Sequence, residues 1–175
     1  MEKVSINKDM HLSQHFTLGE VTKTSHETAD GNIPSHVAIE NLKNLCENWL
    51  EDLRYSFNAL YPTSHLDQAK RVERSLDLAR DDNPIIITSG YRSPEVNRAV
   101  GGSPTSNHLT GCAVDIRCEG IEQALRYANI LMDISDGTKL DYDELFIERS
   151  KQGRYWIHFA VRPKDNRRKT AFIQT

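Results

Sequence analysis

Three polar side chains in the second half of the chain have the types and spacing of a metal-binding set. His108 follows Ser106-Asn107 in a glycine-rich loop, and Asp115 lies seven positions later. His158 lies in Tyr155-Trp-Ile-His-Phe-Ala160, a segment that is otherwise largely apolar, so its imidazole needs a hydrogen-bond partner or a metal.

Two neutral imidazoles and one carboxylate form a complete protein ligand set for catalytic zinc. They leave a fourth position for water and a net site charge of about +1, which lowers the pKa of that water toward ~7. Spacing alone does not establish the site, because a single histidine more often has a structural hydrogen-bonding role. A turn or cap role is the alternative for Asp115.

Alternating polarity predicts the strands that carry these residues. Residues 113–118 alternate, which places Asp115 on the less apolar face of a strand. Two further strands are predicted at about 144–149 and 154–161, on either side of a glycine-containing hairpin signal at 150–153. A short β-branched run at 85–88 predicts a buried strand.

Capping residues and apolar periodicity predict helices elsewhere. Helix starts are predicted at Thr17, Ser35, Ser93, after Ser64 and after Gly120. The second helix carries one apolar face: Leu42, Leu45, Trp49 and Leu53. Helices followed by strands predict an α+β fold, with one domain over residues 1–175 and helices packed on a small, mostly antiparallel sheet.

Composition excludes several classes of protein. The 175 residues carry 22 basic and 25 acidic side chains, a net charge of −3, whereas nucleic-acid or membrane-surface binders are usually basic. No apolar run approaches the ~20 residues of a membrane span. The first ten residues lack an apolar core, so we expect no secretory signal and synthesis in the cytoplasm. The basic segment 162–169 is interpreted as a solvated flank of the last strand, with contact to anionic wall polymer as the alternative.

Four segments carry an ordered series of motifs. They are Ser89-Gly-Tyr-Arg-Ser93, Asn97-Arg-Ala-Val-Gly-Gly102, Ser106-Asn-His-Leu-Thr-Gly-Cys-Ala-Val-Asp-Ile116 and Trp156-Ile-His158. Together they resemble the zinc D-alanyl-D-alanine carboxypeptidase family, including its phage L-alanyl-D-glutamate endopeptidases, and imply the fold shared with hedgehog signalling domains. The motif Ser-x-His-x-x-Gly-x-Ala-x-Asp fits without a mismatch. The resemblance omits about residues 56–82, an apparent helical insertion.

The resemblance implies that His108, Asp115 and His158 bind Zn²⁺, and that Arg92 binds a substrate carboxylate or backbone carbonyl. Stem peptides of peptidoglycan carry free carboxylates, which a guanidinium recognises bidentately. A surface ion pair is the alternative for Arg92. Ser106 has two open roles, a hydrogen bond to substrate or support of the loop that bears His108.

The general base is where the sequence departs from the family pattern. Many relatives have an acid about three positions before the last histidine, where this chain has Tyr155. The nearest candidate is Glu148. A three-residue hairpin loop with Gly153 in the left-handed conformation pairs Glu148 with Trp156. Glu148 then lies on the same face of the sheet as His158 and diagonally adjacent to it. A two-residue loop instead turns Glu148 away, as an edge-strand charge.

The resemblance implies a zinc metallopeptidase that cleaves a stem-peptide bond of bacterial peptidoglycan, as a carboxypeptidase or as an endolysin-type endopeptidase. We expect a monomer with no nucleic-acid or membrane partner, acting on the cell wall after phage-mediated release. A catalytically inactive zinc-containing binding module is the alternative, favoured by the missing acid at Tyr155. A metal-free structural protein is a third hypothesis.

Overall fold

A five-stranded sheet organises the part of the chain that the structure, a computed structural model, describes, namely residues 6–62 and 83–175. The strand order is β1-β2-β4-β3-β5, and every neighbouring pair is antiparallel except β3 and β5. The strands are β1 (Ile87–Ser89), β2 (Ala113–Cys118), β3 (Glu144–Arg149), β4 (Tyr155–Ala160) and β5 (Lys169–Gln174). The predicted α+β fold with a small, mostly antiparallel sheet is confirmed.

Helices lie around this sheet. They are α1 (Leu18–Val21), α2 (His36–Leu45), α3 (Glu51–Leu60), α4 (Pro94–Ala99) and α5 (Ile121–Thr138). A π-helical turn, Cys46–Leu50, joins α2 to α3 without a break. The apolar face predicted for the helix after Ser35 is buried at Leu42, Leu45, Trp49 and Leu53. The ring centroid of Trp49 lies 5.1 Å from that of Phe159 in β4. Hydrophobic burial therefore fixes the long helix against the back of the sheet.

Three of the predicted helix starts, at Thr17, Ser35 and Ser93, have the expected caps. Thr17 and Glu20 form a reciprocal capping box at α1. The side chain of Ser35 accepts the Ala38 N–H at α2, and that of Ser93 caps α4 in the same way. These local hydrogen bonds satisfy amide groups that have no partner inside the helix.

The hairpin between β3 and β4 has the predicted three-residue loop. The Ser150 N–H donates to the Arg154 carbonyl at 2.9 Å, and Gly153 has a φ of +81°. Glu148 is consequently paired with Trp156, and Phe146 with His158. Because directly paired residues share a face, Glu148 lies diagonally beside His158 on the face opposite the core.

Two sequence-based expectations about the sheet differ from the structure. The buried strand expected at 85–88 is instead the edge strand β1, and Ile86 is 45% exposed. No strand was predicted after residue 161, yet β5 pairs in parallel with β3, whereas the basic segment 162–169 before it is largely exposed, as expected of a solvated flank. A short apolar run has the same composition at an edge as at the centre, and the largely exposed β5 has no buried face to create alternation.

The predicted insertion at about 56–82 is only partly described. Its first residues belong to the end of α3, and residues 63–82, with the helix expected after Ser64, lie outside the described residues. Across residues 6–62 and 83–175, no helix has both the length and the apolar character needed to cross a membrane.

Gly111 and Gly101 form a matched pair for testing the approach of α2 to the loop that carries His108. Both have a φ of +71°, but an added Cβ at Gly111 would lie 2.3 Å from the Ala38 carbonyl oxygen, whereas Gly101 has nothing within 4 Å. We expect Gly101→Ala to lower the free energy of unfolding by the left-handed strain of about 1–2 kcal/mol alone. Gly111→Ala adds a backbone clash and is expected to lower it further.

Urea unfolding of the metal-free proteins measures both changes. Equal losses in the two variants would contradict the close packing of α2 against this loop.

Candidate metal centre

Three ligand atoms converge on the face of the sheet opposite the core. Asp115 Oδ1 lies 3.0 Å from His158 Nδ1 and 3.3 Å from His108 Nε2. The two imidazole nitrogens are 3.3 Å apart. The structure thus brings together the three residues expected as metal ligands from the sequence.

The spacing and chemistry of these atoms fit a zinc ion. Tetrahedral coordination with bonds of about 2.0–2.1 Å separates the ligand atoms by about 3.3 Å. The three observed separations are close to that value. Two imidazole nitrogens and one carboxylate oxygen are also ligands that Zn²⁺ favours, and they leave a fourth coordination position available.

Sheet register and one short helical turn place the three groups. Asp115 in β2 pairs directly with His158 in β4, so both side chains leave the same face. His108 lies in a 3-10 turn, Asn107–Thr110, immediately before β2. The side chain of Ser106 caps this turn by accepting the His108 N–H at 3.3 Å. Ser106 therefore supports the loop, which was one of its two expected roles.

The segment after β1 contacts two of the three groups, His108 through Gly90 and Asp115 through Arg92. The Gly90 carbonyl lies 2.6 Å from His108 Nδ1. A carbonyl only accepts, so Nδ1 carries the proton and Nε2 is free to bind a metal. An added Cβ at Gly90 would lie 2.2 Å from the Val21 carbonyl oxygen. Glycine is therefore needed where this segment packs against the end of α1.

Arg92 holds the second oxygen of the candidate carboxylate ligand. Its Nη2 donates to Asp115 Oδ2 at 2.5 Å, and its Nε donates to Ser89 Oγ at 2.8 Å. Arg92 is therefore a neighbour of the metal centre through Asp115 itself. With Oδ2 occupied, Oδ1 is directed at the two histidines.

The electrostatics of the centre favour an ionised Asp115. Burial opposes ionisation, but the charges and hydrogen bonds of His108 and His158 prevail and hold the pKa of Asp115 well below its usual range. Burial also lowers the pKa of His158, but hydrogen bonds to Asp115 and Glu144 raise it to about 9. The negative charge of Asp115 therefore favours a positive charge beside the two histidines.

A cleft of about 420 Å³ opens beside the three groups. His158 and Ser106 line it together with Glu144, Phe146, Glu148 and Ile173. Burial and the charge of Asp115 raise the pKa of Glu148, against the opposing effects of His158 and Arg92. Glu148 is thus a carboxylate in the cleft with a proton affinity above the ordinary one.

Tyr155 lies on the other face of β4 from His158. It shares the core face with Ile157 and Phe159, and its ring contacts Phe172. An acid at this position of the regular strand would therefore point away from the centre. This geometry explains how the chain can lack an acid at Tyr155 and still present a carboxylate, Glu148, to the cleft.

Three residues near the centre were not singled out from the sequence. Phe146 stacks on the His158 ring at 5.7 Å, and Glu144 Oε2 lies 3.4 Å from His158 Nε2. Asn107 Nδ2 donates to Glu144 at 3.0 Å. The period of two that places Glu148 on the cleft face also places Phe146 and Glu144 there, so the hairpin register contained this signal.

Removal of His158 tests whether the three groups bind one ion. We expect the parent protein to bind one equivalent of Zn²⁺, and His158→Ala to weaken binding by more than the roughly 100-fold that an outer partner contributes. Chelator competition measures the affinity. His26→Ala removes an exposed imidazole and serves as the control. Parental affinity in His158→Ala would contradict the proposed ligand set.

Comparison with known proteins identifies the family. A sequence model of the family described as peptidase M15 matches residues 14–139, well over half of the chain. The matched range includes His108 and Asp115 but ends before His158 and Glu148. The placement of His158 and Glu148 beside Asp115 therefore rests on the pairing of the strands. No curated protein matches the chain. The chain belongs to the peptidase M15 family, a family of metallopeptidases.

Proposed function

We propose that this protein is a zinc metallopeptidase that hydrolyses a peptide bond in the stem peptide of bacterial peptidoglycan. One observation carries the proposal, the convergence of His108 Nε2, Asp115 Oδ1 and His158 Nδ1 within 3.3 Å of one another beside a cleft. Membership of the M15 family supports a peptide as the substrate. In this proposal the protein acts on the cell wall as a monomer, following phage-mediated release.

These three residues would hold the metal. When bound, Zn²⁺ supplies a Lewis acid for the scissile carbonyl and for the attacking water. The chain contributes a rigid frame, because the Gly90 carbonyl fixes one imidazole and Arg92 fixes the carboxylate. Such preorganisation avoids rearrangement of the ligands during the reaction.

We assign Glu148 as the general base, which takes a proton from water and returns it to the leaving amine. Glu148 lines the cleft, and burial raises its pKa above the ordinary value, which makes it a stronger proton acceptor. The other acid beside His158 has the opposite character. A hydrogen bond with His158 lowers the pKa of Glu144, and Asn107 and Arg167 also hold its oxygens.

Arg92 and Ser106 are proposed to bind substrate. The Arg92 side chain is 17% exposed and lies against Asp115, one of the proposed metal ligands. Its guanidinium is suited to a carbonyl or carboxylate oxygen. Ser106 lines the cleft, and a hydroxyl that accepts the His108 N–H still has one proton to donate to a substrate.

Glu148→Gln tests the assignment of the base. We expect this variant to retain zinc but to cleave purified peptidoglycan with kcat reduced by about 10²–10⁴-fold, because the amide does not accept the proton. Mass spectrometry of the released muropeptides gives the rate and identifies the bond. Released D-alanine indicates a carboxypeptidase, and internal cleavage indicates an endopeptidase.

Tyr155→Phe is the matched control, since it alters the position of the family acid on the core face and is expected to keep the parental rate. A Glu148→Gln protein that cuts as fast as the parent would remove Glu148 as the base. A zinc-loaded parent that releases neither peptides nor D-alanine would favour the binding module instead.

A further inference from the structure

We propose that Glu144 is a positioning residue that orients the His158 ring for metal binding, a role that rests on the proposed zinc site. The two ring nitrogens of His158 face different partners. Nδ1 lies 3.0 Å from Asp115 Oδ1, and Nε2 lies 3.4 Å from Glu144 Oε2. A proton held on Nε2 by Glu144 leaves the lone pair of Nδ1 directed at the centre.

Glu144 is itself held in place through both of its oxygens. Asn107 Nδ2 donates to Oε2 at 3.0 Å, and Arg167 Nη2 donates to Oε1 at 2.6 Å. Arg167 is anchored in turn on the fully buried Asp143, to which its Nε donates at 2.8 Å. The carboxylate that faces His158 therefore has a fixed position before any metal binds.

The register of the hairpin brings Glu144 and Phe146 to the same imidazole. Phe146 pairs with His158 across β3 and β4, and its ring stacks on the imidazole with an interplanar angle of 20°. Stacking fixes the plane of the ring but is satisfied equally after a half-turn about the Cβ–Cγ bond. Such a half-turn would put carbon in place of Nδ1. The contact between Glu144 and Nε2 distinguishes the two orientations and favours the metal-binding one.

The two acids that flank His158 thus have separate roles. Glu148 is a cleft carboxylate assigned to proton transfer, whereas Glu144 acts only through His158. A competing explanation is that Glu144 simply holds the chain end, through Arg167, against β3. That explanation predicts a loss of stability on substitution with no specific loss of zinc affinity. It also predicts that Arg167→Ala and Glu144→Ala have equal effects.

The experiment measures zinc affinity by chelator competition, together with urea unfolding of each metal-free protein. We expect Glu144→Ala to weaken Zn²⁺ binding by about 10–100-fold. Glu144→Met, which keeps most of the side-chain volume in case the alanine variant does not fold, is expected to lose as much. Glu144→Gln keeps an acceptor oxygen for Nε2–H and is expected to recover most of the affinity. Glu122→Ala, on the exposed face of α5, is the control.

Each result supports or overturns the positioning role. Parental zinc affinity in both Glu144→Ala and Glu144→Met overturns it. The role is also overturned if Arg167→Ala and Glu144→Ala lose equal amounts of zinc affinity and Glu144→Gln recovers none of it. A parent that binds no zinc overturns this inference together with the proposed function. A parent that binds zinc but does not cleave peptidoglycan removes only the proposed activity, because the affinities are measured without substrate.

Discussion

The buried carboxylate of Asp115 is the charge on which the arrangement of the centre depends. Removal of an ionised carboxylate from water costs several kcal/mol unless cations and donors surround it. Here Arg92 occupies one oxygen, and the two histidines face the other. Because a guanidinium stays protonated, Arg92 always compensates the negative charge at Asp115 Oδ2. The histidine side is where a divalent cation would bind in the proposed zinc site, in competition with protons.

Antiparallel strand pairing brings the residues that surround Asp115 together. β2 and β4 place Asp115 opposite His158, and β4 and β3 place Phe146 opposite the same histidine. The alternate residues of these strands form the core, where Ile157 and Phe159 are fully buried. A slip of one residue would exchange the two faces, so burial of the core also holds the register of the centre.

Differences in environment separate the chemistry of two acids on one strand. Glu144 and Glu148 are equivalent in the hairpin register, one on each side of the residue paired with His158. Donors surround Glu144, whereas burial dominates at Glu148, so their pKa values shift in opposite directions. A carboxylate held by donors is suited to orientation, and one with a raised pKa is suited to proton transfer.

The sequence by itself determined the features that neighbouring residues encode. Capping residues predicted the helix starts, and Gly153 predicted the hairpin loop and with it the position of Glu148. Ordered motifs predicted the family, together with His108, Asp115 and His158 as the candidate ligand residues that the fold brings together. Only the tertiary structure decided which nitrogen of each histidine faces the centre, that Arg92 binds Asp115, and that β5 pairs with β3. Those features depend on contacts between segments distant in the chain, and an exposed strand such as β5 carries no pattern of burial from which pairing can be predicted.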